Sequence, residues 1–183
     1  MIHTRDYAAK ETAMRVAQAM VSAAITAPKG HGIDNLLAVI VDGEDKDVLA
    51  NHMRDIYNET GADFFKRDAG CVDVSQCVVL LATKDDPILL DNCGYCGFKD
   101  CAENRVAGAN CAFNVTDLGI AVGSAVSVAA DNRVDARVFF SAGQAALRMG
   151  IWEDDVRVCY GIPLSITSKS IFFDRDPGAV LVK

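Results

Sequence analysis

The chain has 183 residues, of which 51% are apolar, 7% aromatic and 23% charged. That suffices for one globular domain over 1–183 with a substantial core, and it excludes a disordered chain. With 18 basic against 25 acidic residues the net charge is −7, which repels phosphate backbones and anionic lipid and excludes nucleic acid as an expected partner.

Ala13, Val16, Ala17, Met20, Val21 and Ala24 recur at helical spacing and predict a first helix over residues 7–25, ended by Pro28 and Gly30. Leu36 to Val41 is a short continuous apolar run that stops at Asp42-Gly43 and predicts a buried strand. A second helix is expected over 45–60, with Leu49, Met53 and Ile56 inward and Gly61 as its C-cap. Cys77 to Ala82 predicts another buried strand, followed by a cysteine-rich loop from Asp91 to Cys101. A third helix is expected over 115–130, with Gly119 and Gly123 as points of tight helix packing. Ser141-Ala142-Gly143-Gln144 resembles a capping box opening a short helix to Met149, closed by Gly150. Val156 to Pro163 predicts a last core strand, and the tail from Ser165 carries Ile171-Phe172-Phe173. Strands interleaved with helices predict an α+β or α/β fold.

The N-terminus meets charge by Arg5 and Asp6 and shows no apolar stretch with a cleavage site. The longest apolar run, Gly119 to Ala130, is 12 residues, short of the roughly 20 that cross a membrane. A cytoplasmic protein with no membrane partner is expected.

Seven cysteines, Cys71, Cys77, Cys93, Cys96, Cys101, Cys111 and Cys159, form an odd set that argues against a disulfide framework. In a reducing compartment, clustered cysteines more often bind metal. Cys93-Gly94-Tyr95-Cys96-Gly97-Phe98-Lys99-Asp100-Cys101 gives C-x2-C-x4-C, with Cys111 ten positions later. A cubane cluster needs four thiolates from a compact shell. The two-residue gap lets Cys93 and Cys96 face neighbouring irons, while Gly94 and Gly97 allow sharp bends that bring N–H groups near sulfur. Zinc prefers two paired knuckles, and only one C-x2-C is present. An iron–sulfur site over 91–111 is therefore favoured over structural zinc and over buried filler. Cys93, Cys96 and Cys101 are the expected ligands and Cys111 the fourth, with Cys71, placed in a loop, and Cys77 as alternatives. Cys159 is expected to be packing.

The cysteine segment resembles the 4Fe-4S module with a C-G-x-C-G-x-x-x-C core found in electron-transport complex subunits and corrinoid iron–sulfur proteins. The nine residues before Cys111 depart from that module, whose fourth cysteine usually lies farther along. The chain as a whole is similar to ferredoxin-domain-containing proteins of anaerobic bacteria and archaea. The likeness rests on residues 26–35 (Thr-Ala-Pro-Lys-Gly-His-Gly-Ile-Asp-Asn), the cysteine loop and the ending from Ser165 to Arg175. It implies a 4Fe-4S cluster and a redox partner protein.

Thr26-Ala27-Pro28 before a polar loop and strand, and the stretch from Asp117 through Leu147-Arg148-Met149-Gly150 to Val158–Pro163, also resemble flavin-dependent nitroreductases. That resemblance implies a mixed sheet flanked by helices, with the cysteine loop inserted, often a homodimer, and FMN at the interface. Nitroreductases open with an arginine-rich arm that grips the flavin phosphate; this chain has only Arg5 and Arg15 there.

His31, between Gly30 and Gly32, is a ligand-contact candidate beside Lys29 and Asp34, although an ordinary connector explains the segment better. Lys169 and Arg175 are candidate anion contacts. No G-x-x-x-x-G-K-[ST] or G-x-S-x-G occurs, so neither a phosphate loop nor a serine nucleophile elbow is expected. The expected function is electron transfer or redox sensing through a 4Fe-4S cluster. The alternatives are an FMN-dependent reductase fed by the cluster and a zinc-stabilised scaffold.

Overall fold

A computed structural model describes residues 1–174. In chain order the elements are α1 (Arg5–Thr26), β1 (Leu36–Val41), α2 (Gly43–Thr60), α3 (Asp63–Val74), β2 (Cys77–Lys84), α4 (Cys101–Val106), α5 (Ala112–Asp131), β3 (Asp135–Ala136), α6 (Phe140–Arg148) and β4 (Val156–Ser165). The strands form one sheet in the order β1-β2-β4-β3. This is the expected α+β architecture of a sheet flanked by helices, and among the described residues every ladder is antiparallel.

β2 explains why its sequence is apolar throughout. It lies between β1 and β4, and alternate side chains point to opposite faces. Val78, Leu80 and Ala82 join a core with α2, α3 and α6, including Leu49, Met53, Val72, Ala145 and Phe172. Cys77, Val79 and Leu81 join a second core with α1 and α5, including Ala17, Met20, Leu118 and Ala125. Each fully buried Val or Leu of β2 stabilises the fold by roughly 1.5–3 kcal/mol over its exposed state. Helices thus cover both faces of the sheet.

Small residues bring the layers close. A Cβ on Gly143 of α6 would lie 1.8 Å from the Cys159 carbonyl oxygen, so α6 rests backbone to backbone on β4. On the other face, Ser124 Oγ of α5 donates to the Ala23 carbonyl of α1 at 2.9 Å. Gly119 and Gly123 do not serve this packing: both are exposed, and a Cβ at either would meet nothing within 4 Å. The packing face of α5 is built from Leu118, Ala121, Val122 and Ala125, one position away.

Two other expectations are corrected. Residues 63–74 form α3, and Cys71 is buried on that helix rather than lying in a loop. The segment is short, and its inner residues Phe65, Ala69 and Val72 are too few for a clear repeat. The residues Ser141–Gln144 do not form a capping box. Phe139 is the N-cap of α6, and Ser141 lies inside the helix, where its Oγ donates to buried Asp68 at 2.6 Å. The helix α5 is 20 residues long, with mean hydropathy 1.4 over its most apolar window, so by length and composition it could cross a membrane. Here it packs on α1 and the sheet.

Candidate metal centre

The segment that joins β2 to α5, residues 85–111, sits beyond the end of the sheet where β1 begins and β2 ends. Polar side chains fasten its two ends. Asn114, buried in the first turn of α5, donates from Nδ2 to the carbonyls of Lys84 at 3.0 Å and Asp86 at 2.7 Å. Asn35 Nδ2 donates to the same Asp86 carbonyl at 3.0 Å and to Asn114 Oδ1 at 3.2 Å. Arg157 of β4 pairs with Asp85 at 2.8 Å and donates to the Gly108 carbonyl, while Arg105 of α4 pairs with Asp86. The exit from the sheet, the helix α4 and the start of α5 are thereby tied together.

Within this frame the chain turns sharply. Leu89, Asn92, Gly94 and Gly97 all have positive φ, at 55°, 57°, 62° and 86°. The last two follow Cys93 and Cys96, where glycine adopts this conformation without Cβ strain. Gly97 N–H closes the turn on the Gly94 carbonyl at 3.0 Å. Asp100 then caps α4, accepting from Glu103 N–H at 2.9 Å, and Glu103 Oε2 accepts from Lys99 N–H at 2.7 Å. Cys101 opens α4, and Cys111 is the N-cap of α5.

The result is a pocket of about 230 Å³ whose walls include Cys93, Cys96, Cys101 and Cys111. The remaining lining includes Ile88, Leu90, Lys99, Asn104 and Phe113. Tyr95 lies at its edge, 77% exposed, with its ring stacked on Phe113. The other three cysteines are elsewhere. Cys71 is in α3, and Cys77 and Cys159 are buried in the sheet. Burial pushes the Cys77 thiol up to about 12, aided by nearby Asp42. Burial raises Cys159 to about 12 as well. Thiols held protonated in this way are poor metal ligands. Among the described residues, no three His, Cys, Asp or Glu side chains converge closely enough to hold one metal ion.

The other candidates from the sequence fall outside this pocket. His31 is exposed in a single 3-10 turn over Gly30–Gly32, with φ of 57°. Lys29 is turned back onto α1, where Nζ donates to the Ala24 carbonyl at 2.8 Å and also to that of Ile25. Gly30 N–H donates to Oδ2 of buried Asp117 at 2.8 Å. Lys169 is exposed and pairs with Asp174 at 3.2 Å, and Arg175 lies outside the described residues. Sequence reasoning missed Asn104, Asn114 and Asp117. All three are buried polar residues, and a polar residue on an apolar helix face is the signal that could have found Asn114 and Asp117.

An uncharacterized protein of Archaeoglobus fulgidus is 41% identical to this chain over 166 residues, covering 86% of this chain and 89% of that one. The family profile described as "uncharacterized protein containing a ferredoxin domain (DUF2148)" matches residues 107–175, a stretch that includes Cys111 and follows the other three pocket cysteines. Among solved structures, the fold is similar to that of an FMN-dependent nitroreductase from Clostridium difficile, with TM-score 0.54 and 13% identity over 85% of this chain and 76% of that one. A nitroreductase from Desulfovibrio desulfuricans in complex with FMN gives TM-score 0.57 and 13% identity over 92% and 84%. At such identities the likeness speaks for the fold alone. With the relative, the profile and the cysteine segment together, the chain belongs to the family of ferredoxin-domain-containing proteins, built on a nitroreductase-like fold.

Proposed function

We propose that the protein is a redox protein holding one 4Fe-4S cluster on Cys93, Cys96, Cys101 and Cys111, and that it exchanges single electrons with a partner protein. The observation that carries this reading is that these four thiols, and none of the other three, line one pocket. The donor set suits the group. Four thiols carried on one short segment are the donors that a cubane cluster takes.

When bound, such a cluster supplies reversible one-electron storage. The chain's own residues determine what surrounds it. The turns at Gly94 and Gly97 bend the backbone sharply right after Cys93 and Cys96. The first turn of α5, beginning at Cys111, presents the positive end of a 20-residue helix to negative charge. Ile88, Leu90 and Phe113 keep water from the inner wall, while the half-buried Cys93 and Cys96 leave the outer side near the surface for an electron partner. Anaerobic purification followed by iron and sulfide analysis tests the reading. Iron and sulfide in equal amounts support it. Zinc with no sulfide and no visible absorbance ends it.

A second reading, a flavin reductase fed by the cluster, draws on the likeness to FMN-bound nitroreductases. The loop expected to meet the flavin does not fit its phosphate. Residues 26–35 carry one lysine, Lys29, and that cation is already bound to the α1 carbonyls. Titration with FMN under anaerobic conditions decides this point. Quenching of flavin fluorescence at stoichiometric protein would favour the reductase.

A further inference from the structure

Asn104 is 1% exposed, lines the pocket and sits one helical turn after Cys101 on α4. Both of its polar ends reach the residues just before Cys111. Its backbone carbonyl accepts from Ala109 N–H at 3.1 Å, and its Nδ2 donates to the Asn110 carbonyl at 3.2 Å. Its Oδ1 is buried with no hydrogen-bond partner. A buried acceptor without a donor destabilises a fold, and an apolar side chain of the same shape avoids that cost. The feature of asparagine that serves this place is therefore the Nδ2 donor, which fixes residue 110 and with it the thiol of residue 111.

We infer that Asn104 is the positioning residue of the fourth thiolate: its grip on residues 109 and 110 holds Cys111 at the pocket, one turn from Cys101. This rests on the cluster reading of the site. It also accounts for the short gap to Cys111. The nine residues after Cys101 are the helix α4, a turn through Gly108 at φ of 61°, and the two residues that Asn104 holds.

The test compares wild type with Asn104→Leu, which keeps the bulk and removes both polar atoms, and with Asn104→Asp, which keeps the shape and lacks the donor. Cluster-free proteins are treated with iodoacetamide, and each cysteine is followed by mass spectrometry. Losing one hydrogen bond should raise the labelling rate of Cys111 about fivefold or more, while buried Cys77 and Cys159 stay protected and report an intact fold. The same proteins are then reconstituted with iron and sulfide. Wild type should carry the complete cluster. The variants should carry less iron, with the paramagnetic signal of a three-iron cluster that has lost one corner. A variant that keeps Cys111 protected and the full iron content overturns the inference and leaves the cluster reading standing. A wild type that assembles no cluster overturns the cluster reading, and the inference with it.

Discussion

Tyr95 lies flat on Phe113, with ring centroids 5.5 Å apart and planes 6° from parallel. The contact joins the tip of the cysteine turn to the first turn of α5, two residues after Cys111. It is the one aromatic pair among the described residues that links the two halves of the pocket. Such a stack contributes about 0.5–1.5 kcal/mol beyond area burial, or roughly two- to twelvefold. Tyr95→Ala should therefore lose its cluster several-fold faster in air, followed as bleaching of visible absorbance, while Tyr95→Phe behaves as wild type. Equal rates for Tyr95→Ala and wild type contradict this role.

Alanine substitution of each cysteine should divide the seven into two groups. Cys93→Ala, Cys96→Ala, Cys101→Ala and Cys111→Ala should lower iron content after reconstitution. Cys71→Ala, Cys77→Ala and Cys159→Ala, at cysteines outside the pocket, should retain it, with a modest loss of thermal stability from the small core cavity. Iron content that depends on Cys71 and not on Cys111 would reassign the fourth position.

Alkaline stability follows from the two sheet thiols. Cys77 and Cys159 ionise at about 12 in the fold, against 9.0 for an unperturbed thiol. Above pH 9 the unfolded chain releases protons that the folded chain keeps. The stability these groups contribute is therefore intact below pH 9 and declines as pH rises towards 12, by at most about 1.4 kcal/mol per thiol and pH unit. Replacing both by alanine should flatten the fall of the urea midpoint between about pH 8 and pH 10.5. An unchanged alkaline slope contradicts the assignment.

Gly143→Ala tests the seating of α6. The new Cβ would fall on the carbonyl of Cys159, a backbone atom that cannot move without opening β4. A destabilisation of about 3 kcal/mol or more is expected, read as a fall in the thermal midpoint. Gly119→Ala, where the added methyl meets open space, should leave the midpoint unchanged or raise it.

Much of the fold was legible from periodicity. β1 was expected over its observed span, and α1, α2 and β2 within a few residues, because their burial is written in runs of Ala, Val, Leu and Met. α3 escaped notice because its inner face, Phe65, Ala69 and Val72, spans too few turns for a clear repeat. Ser141 misled because S-x-x-Q fits a cap, whereas the hydroxyl is used on Asp68 of a different helix, 73 residues away. Such pairings are tertiary and leave no local pattern. The same limit applies at the pocket. Spacing pointed to Cys93, Cys96 and Cys101, but the polar ties through Asn104, Asn114 and Arg157 that shape it join residues far apart in the chain or hidden in a turn.

X-ray absorption at the iron edge, on protein purified and reconstituted without oxygen, tests the central claim most directly. Four thiols around a multi-iron cluster predict an iron–sulfur shell together with a distinct iron–iron shell, both lost when Cys93 and Cys96 are replaced. Iron that shows no iron–iron scattering, or that persists unchanged without those two cysteines, would contradict the account.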